Sequence, residues 1–184
     1  IHGPLILQID KTIDTTCLTA KATEILKKNT AYTVHGAKYT IYTDSGCTQQ
    51  YGTELLTISA SDSTGMSGTS NVILRVPFGT YYIKETAVPK NMQADTKVYT
   101  VTINDSNYQN TQKPSSGSAD RPDLGTITLT KSSLVPGLTN GNACYSLAGA
   151  RYGIYTDSSC TDLYDEVTTN ASGTFSIENM PYWT

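Results

Sequence analysis

A twelve-residue stretch of this chain occurs twice, almost intact, 113 positions apart: Gly36-Ala37-Lys38-Tyr39-Thr40-Ile41-Tyr42-Thr43-Asp44-Ser45-Gly46-Cys47 returns as Gly149-Ala150-Arg151-Tyr152-Gly153-Ile154-Tyr155-Thr156-Asp157-Ser158-Ser159-Cys160. Repeats of about 20 to 50 residues stack into solenoids or propellers. A unit of roughly a hundred residues is large enough to bury a core of its own. Two similar domains in tandem are therefore expected, and strings of such domains span distance or present surfaces.

The residues that fill these domains favour strands. The chain has 13 Tyr and only 16% charged residues, and no long amphipathic helical pattern runs through it, which suits half-buried pleated surfaces. A formal net charge of −3 offers no basic patch for a nucleic-acid backbone, so nucleic acid is excluded as a partner. No stretch is apolar for long enough to cross a bilayer as a helix. Ile1-His2-Gly3-Pro4 opens almost directly on a strand, so an excised or mature piece is expected, with export signal and anchor elsewhere.

Alternation of apolar and polar residues marks strands at Leu5 to Lys11, around Tyr39 and Ile41, at Val72-Ile73-Leu74, at Tyr81 to Glu85 and at Tyr99 to Ile103. Several short strands at even spacing predict an all-β chain of tandem immunoglobulin-like β-sandwiches. Ala20 to Lys28 reads as a short helix or an ordered excursion. The run Gln112 to Asp123, rich in Ser, Pro and Gly, reads as a linker. The expected division is thus 1–111, a linker at 112–123, and a second sandwich over 124–184. Gly125 to Lys131 restates the first strand, and Met180-Pro181-Tyr182-Trp183-Thr184 matches Val76-Pro77-Phe78-Gly79-Thr80. The second sandwich therefore lacks counterparts of Tyr81 to Asp105 and is expected to be incomplete.

Four cysteines divide two and two between the repeats. With no Cys-x-x-Cys pair and with His2 and His35 far from every cysteine, no metal site is expected. One disulfide per domain, Cys17 to Cys47 and Cys144 to Cys160, is the economical reading and would place the chain outside the cytoplasm. The alternative is four buried thiols acting as small apolar residues.

The same alternation places chemistry inside the first domain. Lys11 shares a face with Leu7 and Ile9, Glu85 with Tyr81 and Ile83, and Asp105 with Tyr99, Val101 and Ile103; Asn104 and Asn107 lie beside Asp105. Lys131 repeats the first pattern behind Ile127 and Leu129. Burial disfavours the charged forms of amines and acids alike. A neutral amine is a nucleophile, and a protonated carboxyl donates to a side-chain carbonyl and shuttles protons. The product would be a lysine amide of Asn or Asp, with loss of ammonia or water. A buried Lys-Glu ion pair, or strand-end charges reaching back to solvent, remains the other reading of this spacing.

In sequence order, Ile-x-Lys, Gly-Ala-x-Tyr-x-Ile-Tyr, Pro-Phe-Gly-Thr-Tyr-Tyr-Ile-Lys-Glu-Thr-Ala-Val-Pro-Lys and Tyr-Thr-Val-Thr-Ile-Asn-Asp together resemble Cna protein B-type domains of Gram-positive surface adhesins and pilins. The resemblance covers the first domain and the first half of the second. It implies a prealbumin-like sandwich with an intramolecular Lys-Asn or Lys-Asp isopeptide bond promoted by a glutamate. By position, Lys11 matches the lysine and Glu85 the promoting acid. Strand parity favours Asp105 as acceptor, and an early strand end would give Asn104. Lys131 has no counterpart of Glu85 or of the acceptor in its own repeat.

A structural, adhesive cell-surface segment of stalk or pilus shaft follows from this resemblance, with neighbouring domains or pilin subunits as partners, no cofactor, and one turnover per molecule rather than enzymatic activity. A module binding a host glycan or protein through tyrosines among Tyr42, Tyr51, Tyr81, Tyr82 and Tyr155 is the alternative. An accessory domain of a secreted hydrolase is a third. No Ser-His-Asp or Cys-His arrangement supports catalysis, and Asp165-Glu166 reads as a solvated loop pair rather than a glycosidase acid and base.

Overall fold

The computed structural model describes residues 5–182. Strand makes up 38% of it and helix 7%, an all-β protein. The chain divides into two units, the first built mainly from Thr23–Asp123 with the segment ending at Cys17, the second mainly from Leu124–Tyr182.

The first unit holds β1 (Asp10–Ile13), the greater part of α1 (Ala20–Lys28), β2 (Lys38–Tyr42), β3 (Leu56–Ala60), β4 (Ser67–Ser70), β5 (Gly79–Ala87), β6 (Met92–Gln93), β7 (Val98–Ile103) and β8 (Ser118–Pro122). All eight strands belong to one sheet, in the order β6-β8-β1-β4-β3-β2-β5-β7. The sheet curls until β1 faces β5 across the interior, so the two walls enclose Leu7, Ile9, Ile13, Tyr39, Ile41, Leu56, Ile58, Ile83, Val101 and Ile103, all buried. Burying each such side chain contributes roughly 1.5–3 kcal/mol.

Short as it is, α1 carries the expected signals. Ala22, Ile25 and Leu26 are buried at helical spacing, the Thr19 hydroxyl accepts from the Ala22 N–H at 3.1 Å, and Lys27 and Lys28 stand in the last turn.

The repeated motif is a repeated backbone. Gly36 and Gly149 have φ of 85° and 81°, and Cys47 and Cys160 both have φ of 55°. Asp44 accepts from the Thr48 and Gln49 N–H groups, and Asp157 from those of Thr161 and Asp162. In each copy an aspartate closes the turn that follows the strand, which is the local reason for Asp in this pattern.

Several expectations need correction. Val72-Ile73-Leu74 is not a strand: Ile73 makes an isolated bridge to Leu7, while Val72 and Leu74 are exposed. Residues 112–123 are not a free linker, because Ser118–Pro122 form β8, which runs parallel to β1 with Lys11 opposite Ser118 and Ile13 opposite Asp120. Gln112 also bridges Leu7. The cysteines stand as free thiols, Cys17 and Cys47 half-buried and Cys144 and Cys160 exposed, so they are not a buried apolar set, and the structure shows neither of the expected disulfides.

The second unit carries β9 (Gly125–Thr130), α2 (Pro136–Thr139), β10 (Arg151–Tyr155), β11 (Leu163–Thr168) and β12 (Thr174–Met180). β9 pairs with β12, and β10 with β11. Phe175 is buried against Tyr152, ring centroids 6.0 Å apart, but Ile127, Leu134, Leu138 and Tyr145 are exposed. Asp165 and Glu166 lie within β11 rather than in a loop, and Glu166 is bonded to Arg151.

Candidate functional site

Inside the first unit the curled sheet brings together three ionisable groups from three strands. Lys11 enters from β1, Glu85 from β5 and Asp120 from β8, with relative exposures of 0%, 6% and 0%. The reason is parity. Lys11 follows Leu7 and Ile9 on the inward face of its segment, Glu85 follows Tyr81 and Ile83, and Asp120 lies two residues beyond buried Ser118.

The Lys11 Nζ has three close partners for its three hydrogens: the Tyr39 hydroxyl at 2.6 Å, Asp120 Oδ1 at 2.8 Å and Glu85 Oε1 at 3.0 Å. The Ser118 hydroxyl is farther, at 3.5 Å. From the loop between β6 and β7, the Asp95 N–H points at both carboxylates, 2.8 Å from Glu85 Oε2 and 3.1 Å from Asp120 Oδ1. Asp120 Oδ2 is buried and has no hydrogen-bond partner. A buried carboxylate oxygen left unpaired is costly, so this atom sits in a state that the surroundings do not stabilise.

Two acids and one base share this buried interior. Burial first, and then the neighbouring Asp120 carboxyl, push the Glu85 acid up to about 7. Near neutral pH Glu85 therefore exchanges a proton readily, and its protonated form, favoured below about 7, can act as a donor.

The predicted acceptors lie elsewhere. β7 ends at Ile103, and the chain turns at once, with the Asn107 N–H donating to the Asn104 carbonyl. The alternation that would have turned Asp105 inward stops with the strand, and both Asn104 and Asp105 are exposed. The Asn104 side chain accepts from Ser106, and Asn107 is tied to Thr102 and Asn104. Asp120, which sequence reasoning missed, stands where they were expected. Its signal was the alternation Ser118, Asp120, Pro122 within a stretch whose composition reads as linker.

Lys131 in the second unit is half-buried, and its N–H donates to the Gly173 carbonyl. It borders an open cleft with Leu134, Tyr145 and Leu147. Of the tyrosines considered for ligand binding, Tyr81 is buried, its hydroxyl donating to the Pro77 carbonyl. Among the described residues, no cluster of His, Cys, Asp and Glu has the make-up of a metal site, and no helix is long and apolar enough to cross a membrane.

Comparison with known proteins agrees with the curled sheet. The family model of the SpaA prealbumin-like fold domain matches residues 21–115. The chain belongs to this family. No curated protein matches it. Among solved structures it is similar to the Bacillus anthracis TIE protein, with a TM-score of 0.55 and 18% identity over 98% of this chain and 27% of that one. It is also similar to the C-terminal fragment of the pilus adhesin SpaC from Lactobacillus rhamnosus GG, with a TM-score of 0.43 and 16% identity over 96% of this chain and 70% of the fragment. The major pilin subunit BcpA of Bacillus cereus aligns with a TM-score of 0.40 and 16% identity over 68% of this chain and 31% of that one. The chain spans about a quarter of the length of the Bacillus anthracis protein.

Proposed function

We propose that the first domain closes an intramolecular isopeptide bond between Lys11 and Asp120, with Glu85 as the proton-carrying acid, and that the chain is a segment of a stalk or pilus shaft on a Gram-positive cell surface. One arrangement carries the reading: a fully buried lysine whose Nζ is 2.8 Å from the carboxylate of a strand far away in sequence, beside an acid raised to about 7.

The ammonium passes one proton to the Asp120 carboxylate, and the freed amine attacks Asp120 Cγ. Glu85 donates its proton to the departing hydroxyl, which leaves as water, and takes up the surplus proton from the nitrogen. The ammonium and carboxylate become one amide and one water, and Glu85 ends as it began. Nearness and desolvation supply the rate, since the reacting groups are held together and buried from bulk solvent.

The bond would tie β1 to β8, the first and last strands of the domain, which lie side by side and parallel. Tension applied at opposite ends of such a pair slides one strand along the other, and a covalent link between them removes that motion. A domain used once in this way is a structural part, not an enzyme, and its setting is extracellular, with neighbouring domains or subunits as partners. The variant pair Asp120→Ala and Asp105→Ala tests the assignment by intact mass. The Asp105 variant is expected to lose one water, and the Asp120 variant to keep the full sequence mass; the reverse pattern would overturn it.

A further inference from the structure

Lys11 is also the end of a hydrogen-bond chain that the crosslinking reaction does not itself require. The Lys11 Nζ donates to the Tyr39 hydroxyl at 2.6 Å, Tyr39 to Ser118 Oγ at 2.5 Å, and Ser118 to Asp95 Oδ2 at 2.7 Å. The Tyr99 hydroxyl donates to the same Asp95 oxygen at 2.5 Å, and the Lys97 N–H to Asp95 Oδ1 at 3.0 Å. Tyr39 and Ser118 are interior side chains, and burial keeps the Tyr39 phenol far above its ordinary pKa, so it remains a hydroxyl.

A carboxylate only accepts and an ammonium only donates, whereas a hydroxyl does both. With Asp95 at one end, Ser118 and Tyr39 have to point their protons away from Lys11. We infer that Asp95 is a positioning residue: its carboxylate fixes the direction of this chain, so that Tyr39 accepts from the Lys11 amine and the amine lone pair stays aimed at Asp120. The inference rests on the isopeptide reading above. Once the ammonium has given a proton to Asp120, a Tyr39 hydroxyl turned the other way would donate into the lone pair and quench the nucleophile. The acceptor-only carboxylate of Asp95 prevents that turn.

Asp95 is suited to the task. Burial alone would raise its pKa, but the Tyr99 and Ser118 hydroxyls more than offset this and hold it below the usual carboxylate value. The charged and titratable groups around it are Lys11, Tyr39, Glu85, Tyr99 and Asp120, with Lys97 stacked over the Tyr99 ring. Its backbone N–H contacts to Glu85 and Asp120 survive a change of side chain.

The test is a double-mutant cycle on the full chain made by cell-free synthesis, with translation stopped and the loss of one water followed by intact mass. Asp95→Asn, whose amide donates as well as accepts, is expected to slow the loss by about tenfold or more, because the chain is free to reverse. In a Tyr39→Phe background, where no hydroxyl faces the amine, the same change is expected to alter the rate by less than about twofold. An Asp95→Asn chain as fast as or faster than the parent would overturn the inference, since removing a negative charge alone destabilises the ammonium. Equal slowing in both backgrounds would also overturn it, by reducing Asp95 to a folding role. If circular dichroism finds Asp95→Asn unfolded, Ser118→Ala takes its place with the same expected pattern, because Tyr39 then loses its acceptor. A parent chain that never loses water defeats the isopeptide reading itself, a result distinct from either of these.

Discussion

The acid at the centre of the site is Glu85, and its environment sets when it is useful. Burial and Asp120 raise it to about 7, so the protonated form that donates to the leaving oxygen is present below that pH and is lost above it. The rate of water loss is therefore expected to fall as pH rises through about 7, read by quenching aliquots for intact mass. Glu85→Gln, which cannot shuttle a proton, is expected to slow the reaction by about a hundredfold or more, the usual scale for general acid-base catalysis. Lys11 and Glu85 were legible from the sequence because two-residue alternation continues unbroken from Leu7 to Lys11 and from Tyr81 to Glu85. Asp105 was misplaced because alternation predicts a face only while the strand lasts, and the Asn104 to Asn107 turn ends it.

Among the elements, β8 decides the site, and it is the one that the sequence hides. Ser118-Ala119-Asp120-Arg121-Pro122 offers no apolar run. Its inward residues are a hydroxyl, a carboxylate and a proline, whose burial is compensated by Lys11, Tyr39 and Asp95 contacts that no local pattern reveals. β4 was hidden for a similar reason, being Ser67-Gly68-Thr69-Ser70. Gly68 stands opposite Lys11 in the β1 to β4 ladder, and a Cβ there would lie 2.4 Å from the Ser59 carbonyl and 2.8 Å from the Ile58 side chain. Gly68→Ala is expected to destabilise the domain by about 1–3 kcal/mol through overpacking, measured by urea denaturation. An unchanged midpoint would mean that β3 and β4 separate more easily than this ladder implies. By contrast, the repeated Gly-Ala-x-Tyr strand and its Asp-closed turn were plain in the sequence, because the residues that form them are neighbours in the chain.

At the scale of the whole molecule, tandem domains were legible from the repeat alone, and the second unit begins at Leu124, whereas the strand lying in the stretch with linker composition was hidden. The consequence of closing Lys11 onto Asp120 is a loop of about a hundred residues, whose restriction in the unfolded chain is worth about 4–5 kcal/mol on the scale of a comparable disulfide. Asp120→Ala is thus expected to lower the melting temperature of the first domain by on the order of 20 °C, in calorimetry against the crosslinked parent. A shift of only a few degrees would mean that the site is held by charge pairing and not by a bond. The most direct test is the intact mass of the purified chain, followed by mapping of its proteolytic peptides. A mass one water below the sequence, with a branched peptide joining Lys11 to Asp120, is the predicted result. A mass equal to the sequence, or one ammonia below it with an asparagine in the branch, would contradict the account.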